Sequence, residues 1–199
     1  TTHMKKIIYL FSLIALTSCM GYTAMYQIQL SFVEAPADTS VQYGEYTTIR
    51  LDSTNAPNKY ADKYIDIAWD VRQANMRVKI SNKTQHTINV HWDKATFVGV
   101  TGAVQPIIHN TTHSQSSIPR YASLYDVIMR WDKDYLLPAY NETIEDMHSN
   151  ANKYKGCNFW VTLPIEIEGV INEYTFVFLV GEQFNVPEEP RYVDYSVRR

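Results

Sequence analysis

The chain has two cysteines, Cys19 and Cys157, and a cysteine does chemistry only as a thiolate with a base or positive field beside it. Cys157 lies in Lys155-Gly156-Cys157-Asn158, at the mouth of an apolar alternating run, and reads as a small packed hydrophobe. His109 and His113 stand four apart, a spacing that on a helix brings two imidazoles onto one zinc ion. The Asn-Thr-Thr between them and the Ser-rich sequel read as loop, and no HExxH supplies a general base, so two solvated histidines are expected. Asp66 and Asp70 share one face of a candidate strand, and Asp93 follows Trp92. A glycosidase needs two carboxyls across a cleft at about 5 Å or about 6.5–9.5 Å, whereas these sit where solvated charge guards a sheet.

Four tryptophans, Trp69, Trp92, Trp131 and Trp160, offer the surface chemistry of stacking on a sugar ring. Trp69 and Trp92 share parity with apolar neighbours and are expected inside. Trp160 has the opposite parity from Val161 and Leu163, and Trp131 falls in Arg130-Trp131-Asp132-Lys133, a loop. Trp131, Trp160 and Tyr135 are therefore the candidate ligand contacts, with Tyr140, Tyr192 and Tyr195 able to extend them. GxSxG, GxGxxG, Walker and CxxC patterns are all absent, so no catalytic residue, metal ligand or cofactor is assigned.

Lys5 and Lys6 precede an apolar run, Ile7 to Leu16 (IIYLFSLIAL), which ends in Thr17-Ser18-Cys19. About ten residues cannot span a bilayer core that needs about 20, but they fit the apolar centre of a signal peptide. Thr1–His3 read as an expression remnant ahead of a natural start at Met4. Leu16-Thr17-Ser18-Cys19 resembles the lipobox of bacterial lipoproteins. That resemblance implies diacylglycerol on the Cys19 thiol, cleavage between Ser18 and Cys19, and acylation of the new amino terminus. No Asp follows Cys19, which by analogy with enteric bacteria implies outer-membrane attachment in the cell envelope. The resemblance covers the leader alone and implies nothing about the remaining residues.

Those residues have the composition of a folded domain: 45% hydrophobic, 20% charged, with 15 tyrosines and 7 glycines in a chain of 199. Tyrosine favours strands and wet interfaces. The net charge of −3, more acidic still without Lys5 and Lys6, gives no sign of a nucleic-acid partner, which would call for a basic face.

Strand periodicity positions these side chains. Residues 26–33 alternate with Ile28, Leu30 and Phe32 on one face, and Tyr46–Leu51 is a weaker strand. Residues 52–61 read as loop. In 64–71, Ile65, Ile67, Trp69 and Val71 share a face. Met76, Val78 and Ile80, then Ile88, Val90 and Trp92, alternate around Ser81-Asn82-Lys83-Thr84, which predicts a hairpin over 75–92. Residues 96–100 and 104–109 flank a turn, 109–120 read as loop, and 121–130 fit either strand or helix. Residues 159–167 and 174–180 predict a second hairpin. Ile144, Met147, Ala151 and Tyr154 fall at helical spacing, predicting one short helix over about 142–154.

The expected fold is mainly β, an antiparallel sandwich, with a barrel as the alternative architecture. Its layout resembles, loosely, the immunoglobulin-like sandwiches of small bacterial envelope lipoproteins, without the Cys…Trp…Cys hallmark of antibody domains. The expected organisation is a remnant (1–3), a signal peptide (4–18, helical where ordered), a lipidated linker (19–25), a sandwich domain (26–187) and a tail (188–199). The expected role is a non-catalytic envelope module, bound to membrane through Cys19 and contacting another envelope protein. Glycan binding is the second expectation and a hydrolase the third.

Overall fold

The computed structural model describes residues 22–51, 58–71, 76–109, 113–130 and 154–187. Tyr26–Gln183 cluster as one compact unit. Thr1–Met25 with Phe184–Arg199 cluster as another, of which the described residues, 22–25 and 184–187, are extended. Twelve strands occur among the described residues: β1 Tyr22–Pro36, β2 Tyr46–Arg50, β3 Lys59–Ala61, β4 Ile65–Val71, β5 Met76–Asn82, β6 Ile88–His91, β7 Thr96–Val98, β8 Val104–His109, β9 Gln115–Ile118, β10 Ser123–Arg130, β11 Asn158–Ile167 and β12 Val170–Pro187. The fold is mainly β and antiparallel, as the alternation predicts. The helix expected over 142–154 lies outside the described residues except for Tyr154, which stands in a turn. The expected signal helix also lies outside them.

Two layers form from one strand path, β2-β1-β12-β11-β7-β8-β10-β5-β4-β3, with β6 lying between β11 and β9. The fold line is β8. Its residues Val104–Pro106 pair with β7 in the first layer, and Ile107–His109 pair with β10 in the second. Pro106 stands at the handover, where its missing N–H interrupts the ladder at little cost. Between the layers the strands pack face to face through aromatic rings. Trp69 of β4 meets Phe176 and Phe178 of β12 edge-on, at 5.1 and 5.5 Å, and Phe159 stacks on Phe178 at 5.1 Å. Each such ring contributes about 1.5–3 kcal/mol by burial and about 0.5–1.5 kcal/mol more by ring geometry.

The late hairpin forms as predicted, though its turn is tighter. Ile167 pairs with Val170 around Glu168 and Gly169, both at positive φ (52° and 81°), the two-residue geometry that matches strand twist. Midway along β12, a Cβ on Gly181 would stand 3.0 Å from the Gln27 carbonyl oxygen, so glycine lets β1 and β12 close.

The predicted hairpin over 75–92 does not form. Periodicity identified both strands, but β5 pairs with β4 and β10 while β6 pairs with β11 and β9, so the chain changes layer between them. Trp92 is not the end of a strand either. A 3-10 turn, Trp92–Lys94, loops out of the line that β6 and β7 share along β11 and drops the Trp92 ring inside, 2% exposed. Two expected loops contain strands, β3 within 52–61 and β9 within 109–120, both too short and polar for alternation to signal. In β1 the inward parity switches between Leu30 and Val33, so Phe32 is not a core residue.

Asn82 makes the layer change possible. Its side chain, 2% exposed, donates from Nδ2 to the carbonyls of His86 (2.7 Å), Ile118 (3.0 Å) and Pro119 (3.0 Å). Its Oδ1 accepts from the Thr84 N–H and hydroxyl, both at 2.8 Å. One carboxamide thus serves two crossings, β5 to β6 and β9 to β10. Asn82→Ala is expected to lower stability by about 3 kcal/mol and the melting temperature by about 6–12 °C, since several polar groups lose partners in the interior. Asn82→Asp, with no donor for the three carbonyls, is expected to do at least as much. Thermal melts followed by circular dichroism check both.

Candidate functional site

One polar cluster is built on His109, at the end of β8. Its ring stacks on Trp92, centroids 4.8 Å apart and planes 20° from parallel. Nδ1 meets the Asp126 Oδ2 at 3.1 Å, and Nε2 meets the His113 carbonyl oxygen at 2.6 Å. Trp92 Nε1 donates to Ser116 Oγ at 2.8 Å, and Asp126 Oδ1 accepts from the Val127 N–H at 2.7 Å. A carbonyl only accepts, so Nε2 is the donor to His113, and Nδ1 faces the Asp126 carboxylate. Both ring nitrogens are thereby engaged, and neither is presented to a substrate or metal. His113 meets His109 through its backbone, not its ring. Among the described residues no group of three or more His, Cys, Asp or Glu is placed to hold a metal ion.

A second cluster bridges the layers. Asp62 Oδ2 accepts from the hydroxyls of Tyr60 in β3 and Tyr174 in β12, both at 3.1 Å, while Oδ1 accepts from the N–H groups of Tyr64 and Ile65 at 2.7 and 2.8 Å. Sequence reasoning missed Asp62. Its one signal is an Asp two and three residues ahead of the N–H groups that open a strand, the pattern of an Asx turn. Nearby, Asn58 at φ 60° accepts from the Leu30 N–H at 2.7 Å through its side chain, and its carbonyl accepts from the Trp69 N–H at 2.8 Å.

The sequence-derived candidates are not brought together. Trp131 and Tyr135 lie outside the described residues, as does Cys19. Trp160 faces outward as its parity predicts, but it is half-buried in a row with Val98 and Val177, each 6% exposed. Trp69, at 5% exposure, is inside as expected. Cys157 is an unbridged, half-buried thiol. Asp66 and Asp70 face solvent on β4, and Asp66 pairs with Lys83 at 3.1 Å.

The outer face of the second layer holds what the sequence did not indicate. Ala68, Lys79 and Tyr125 form one row across β4, β5 and β10, and Asp70, Arg77 and Val127 form the next. Between these rows runs an open trough of 460 Å³, floored by the backbone of Trp69, Val78 and Asp126. Tyr125 is 71% exposed, and Lys79 Nζ lies 5.3 Å from its ring centroid. No family model, curated protein or solved structure matches this chain significantly.

Burial first, and the Asp62 carboxylate second, push the Tyr60 and Tyr174 hydroxyls well above the usual tyrosine value of 10.0. Above pH 10 the unfolded phenols ionise while the folded ones keep their protons. Their contribution to stability is therefore whole below about pH 10 and falls as pH rises, by about 1.4 kcal/mol per pH unit for each phenol. Tyr174→Phe is expected to halve that slope, at a loss of about 1 kcal/mol near neutrality. Urea unfolding repeated between neutral and strongly alkaline pH reads both quantities.

Proposed function

We infer that this chain is a lipid-anchored envelope lipoprotein whose β-sandwich acts by contact with another envelope protein and not by catalysis. The observation that carries the address is the unbroken order of Lys5-Lys6, the apolar run Ile7–Leu16 and Leu16-Thr17-Ser18-Cys19. Each acyl chain adds about 0.8 kcal/mol per buried CH2, and two or three chains make the attachment lasting. Attachment to the outer membrane belongs to the same reading, since no Asp follows Cys19. Among the described residues no helix is long and apolar enough to cross a membrane.

The contact reading is supported by the β1–β2 loop and the first residue of β2, which display apolar side chains from a fixed frame. Val41, Tyr43 and Tyr46 are 50%, 79% and 47% exposed. Asp38 accepts from the Ser40 N–H and hydroxyl at 2.9 and 2.7 Å, and the Thr39 carbonyl accepts from Asn172 at 3.3 Å. Tyr43 is held at φ 57°, a conformation that disfavours a bulky residue by about 1–2 kcal/mol and persists only where its surroundings impose it. Exposed aromatics on a rigid loop are the usual anchors of a protein interface.

Replacement of Cys19 by Ser is expected to move the protein from the membrane to the soluble fraction of its native host. Mass spectrometry of the unaltered protein is expected to find a thioether-linked diacylglycerol on Cys19. Membrane retention of the Ser variant, or an unmodified Cys19 in the mature protein, would refute the address. A photo-crosslinking residue at position 43 is expected to give one discrete protein adduct in the intact envelope. A smear indistinguishable from that given by a crosslinker at exposed Val104 counts against the contact surface.

A further inference from the structure

The trough across β4, β5 and β10 carries a charge pattern that the anchored-contact reading leaves unexplained. Its walls and their continuation past Ala68 hold three cations, Lys59, Arg77 and Lys79, against two outward carboxylates, Asp66 and Asp70, while the carboxylate of Asp126 in the floor turns inward onto His109. Asp66 already pairs with Lys83. The Arg77 guanidinium makes no hydrogen bond or ion pair among the described residues. On a chain of net charge −3, the described residues of this face therefore carry more positive than negative charge around one exposed ring. A guanidinium fork matches a carboxylate in two parallel hydrogen bonds, and a tyrosine ring offers an apolar face to the C–H groups of a pyranose. The volume of 460 Å³ falls within the range of about 300–1,000 Å³ usual for small-ligand sites. The floor strand β5 is hydrogen-bonded on both sides, so it offers no free edge onto which a peptide strand can add.

We propose that this trough binds an acidic glycan, with Arg77 and Lys79 holding the carboxylate of a uronic-acid-type sugar and Tyr125 packing against its ring. The site goes beyond the anchored-contact reading and stands whether or not Cys19 carries lipid.

The test is calorimetric titration of the full-length protein in detergent with oligogalacturonate, with a neutral galactose oligosaccharide, and with an oligoglutamate peptide of matched charge. Saturable binding is expected for the uronate alone, weakening as salt is raised. Arg77→Ala and Tyr125→Ala are each expected to weaken it about tenfold or more. Arg77→Lys, which keeps the charge and loses the fork, is expected to fall between wild type and Arg77→Ala. Tyr121→Ala removes a 66% exposed tyrosine outside the trough and is expected to change nothing. Unchanged melting temperatures show that the variants are folded, and Arg77→Lys supplies the reading if Arg77→Ala is not. The proposal is overturned by no saturable uronate binding, by equal binding of the neutral sugar, by tighter binding of oligoglutamate, or by wild-type affinity in both the Arg77 and Tyr125 variants.

Discussion

The carboxamide of Asn82 is the polar contact on which the two-layer arrangement turns. An antiparallel sandwich made from one strand path must carry its chain between layers, and each crossing takes backbone carbonyls out of a ladder and into the interior. Leaving such a group without a partner costs about 1–3 kcal/mol. Asn82 addresses two crossings with one side chain, because its Nδ2 reaches the carbonyls of His86, Ile118 and Pro119 while its Oδ1 accepts from Thr84. An amide is suited to this position, since it both donates and accepts and carries no charge into a site that is 2% exposed.

The other interlayer ties follow the same logic with different chemistry. Asn58 joins the Leu30 N–H of β1 to the Trp69 N–H of β4, and Asp62 joins Tyr60 to Tyr174. Near the fold line the His109 ring is fixed by Trp92, Asp126 and the His113 carbonyl. These groups set the relation between layers that the aromatic contacts then fill, Trp69 against Phe176 and Phe178 above all. Burial is non-directional and tolerates sliding; hydrogen bonds with fixed geometry remove that freedom.

Much of the sandwich was legible in the sequence, because a strand with one face inside writes its parity into every second residue. Ile65, Ile67 and Trp69, or Phe159, Val161 and Leu163, can be read off directly, and Trp160 was correctly placed on the opposite face. Pairing was less legible. Met76–Ile80 and Ile88–Trp92 alternate as a hairpin would, yet Asn82 turns the chain into the other layer, and nothing local distinguishes a turn residue from a crossing residue. The outward trough escaped for a similar reason. Tyr125 stands in a segment of mixed pattern, and its relation to Lys79 and Arg77 exists only through the register of β5 against β10. Stacking chemistry singles out tryptophan in the sequence, whereas the most exposed ring among the described residues of this face is that of Tyr125.

The polar groups divide by position in a way that bears on function. Inside, His109 meets Asp126 and the His113 carbonyl through its two ring nitrogens, and Asp62 accepts from two hydroxyls and two backbone N–H groups. On the outer face the order is reversed. Arg77 and Tyr125 have well-defined rows beneath them, fixed by the ladders of β4, β5 and β10, and their functional ends face solvent. A side chain whose base is fixed by the sheet, and whose ring already rests beside a neighbour as Tyr125 does beside Lys79, loses less conformational freedom on meeting a ligand, the condition under which a shallow surface can hold one. Under the proposed lipid anchoring, ligand and protein would share a thin layer of space, and modest affinity at such a surface would be enough, because confinement raises the effective concentration of both.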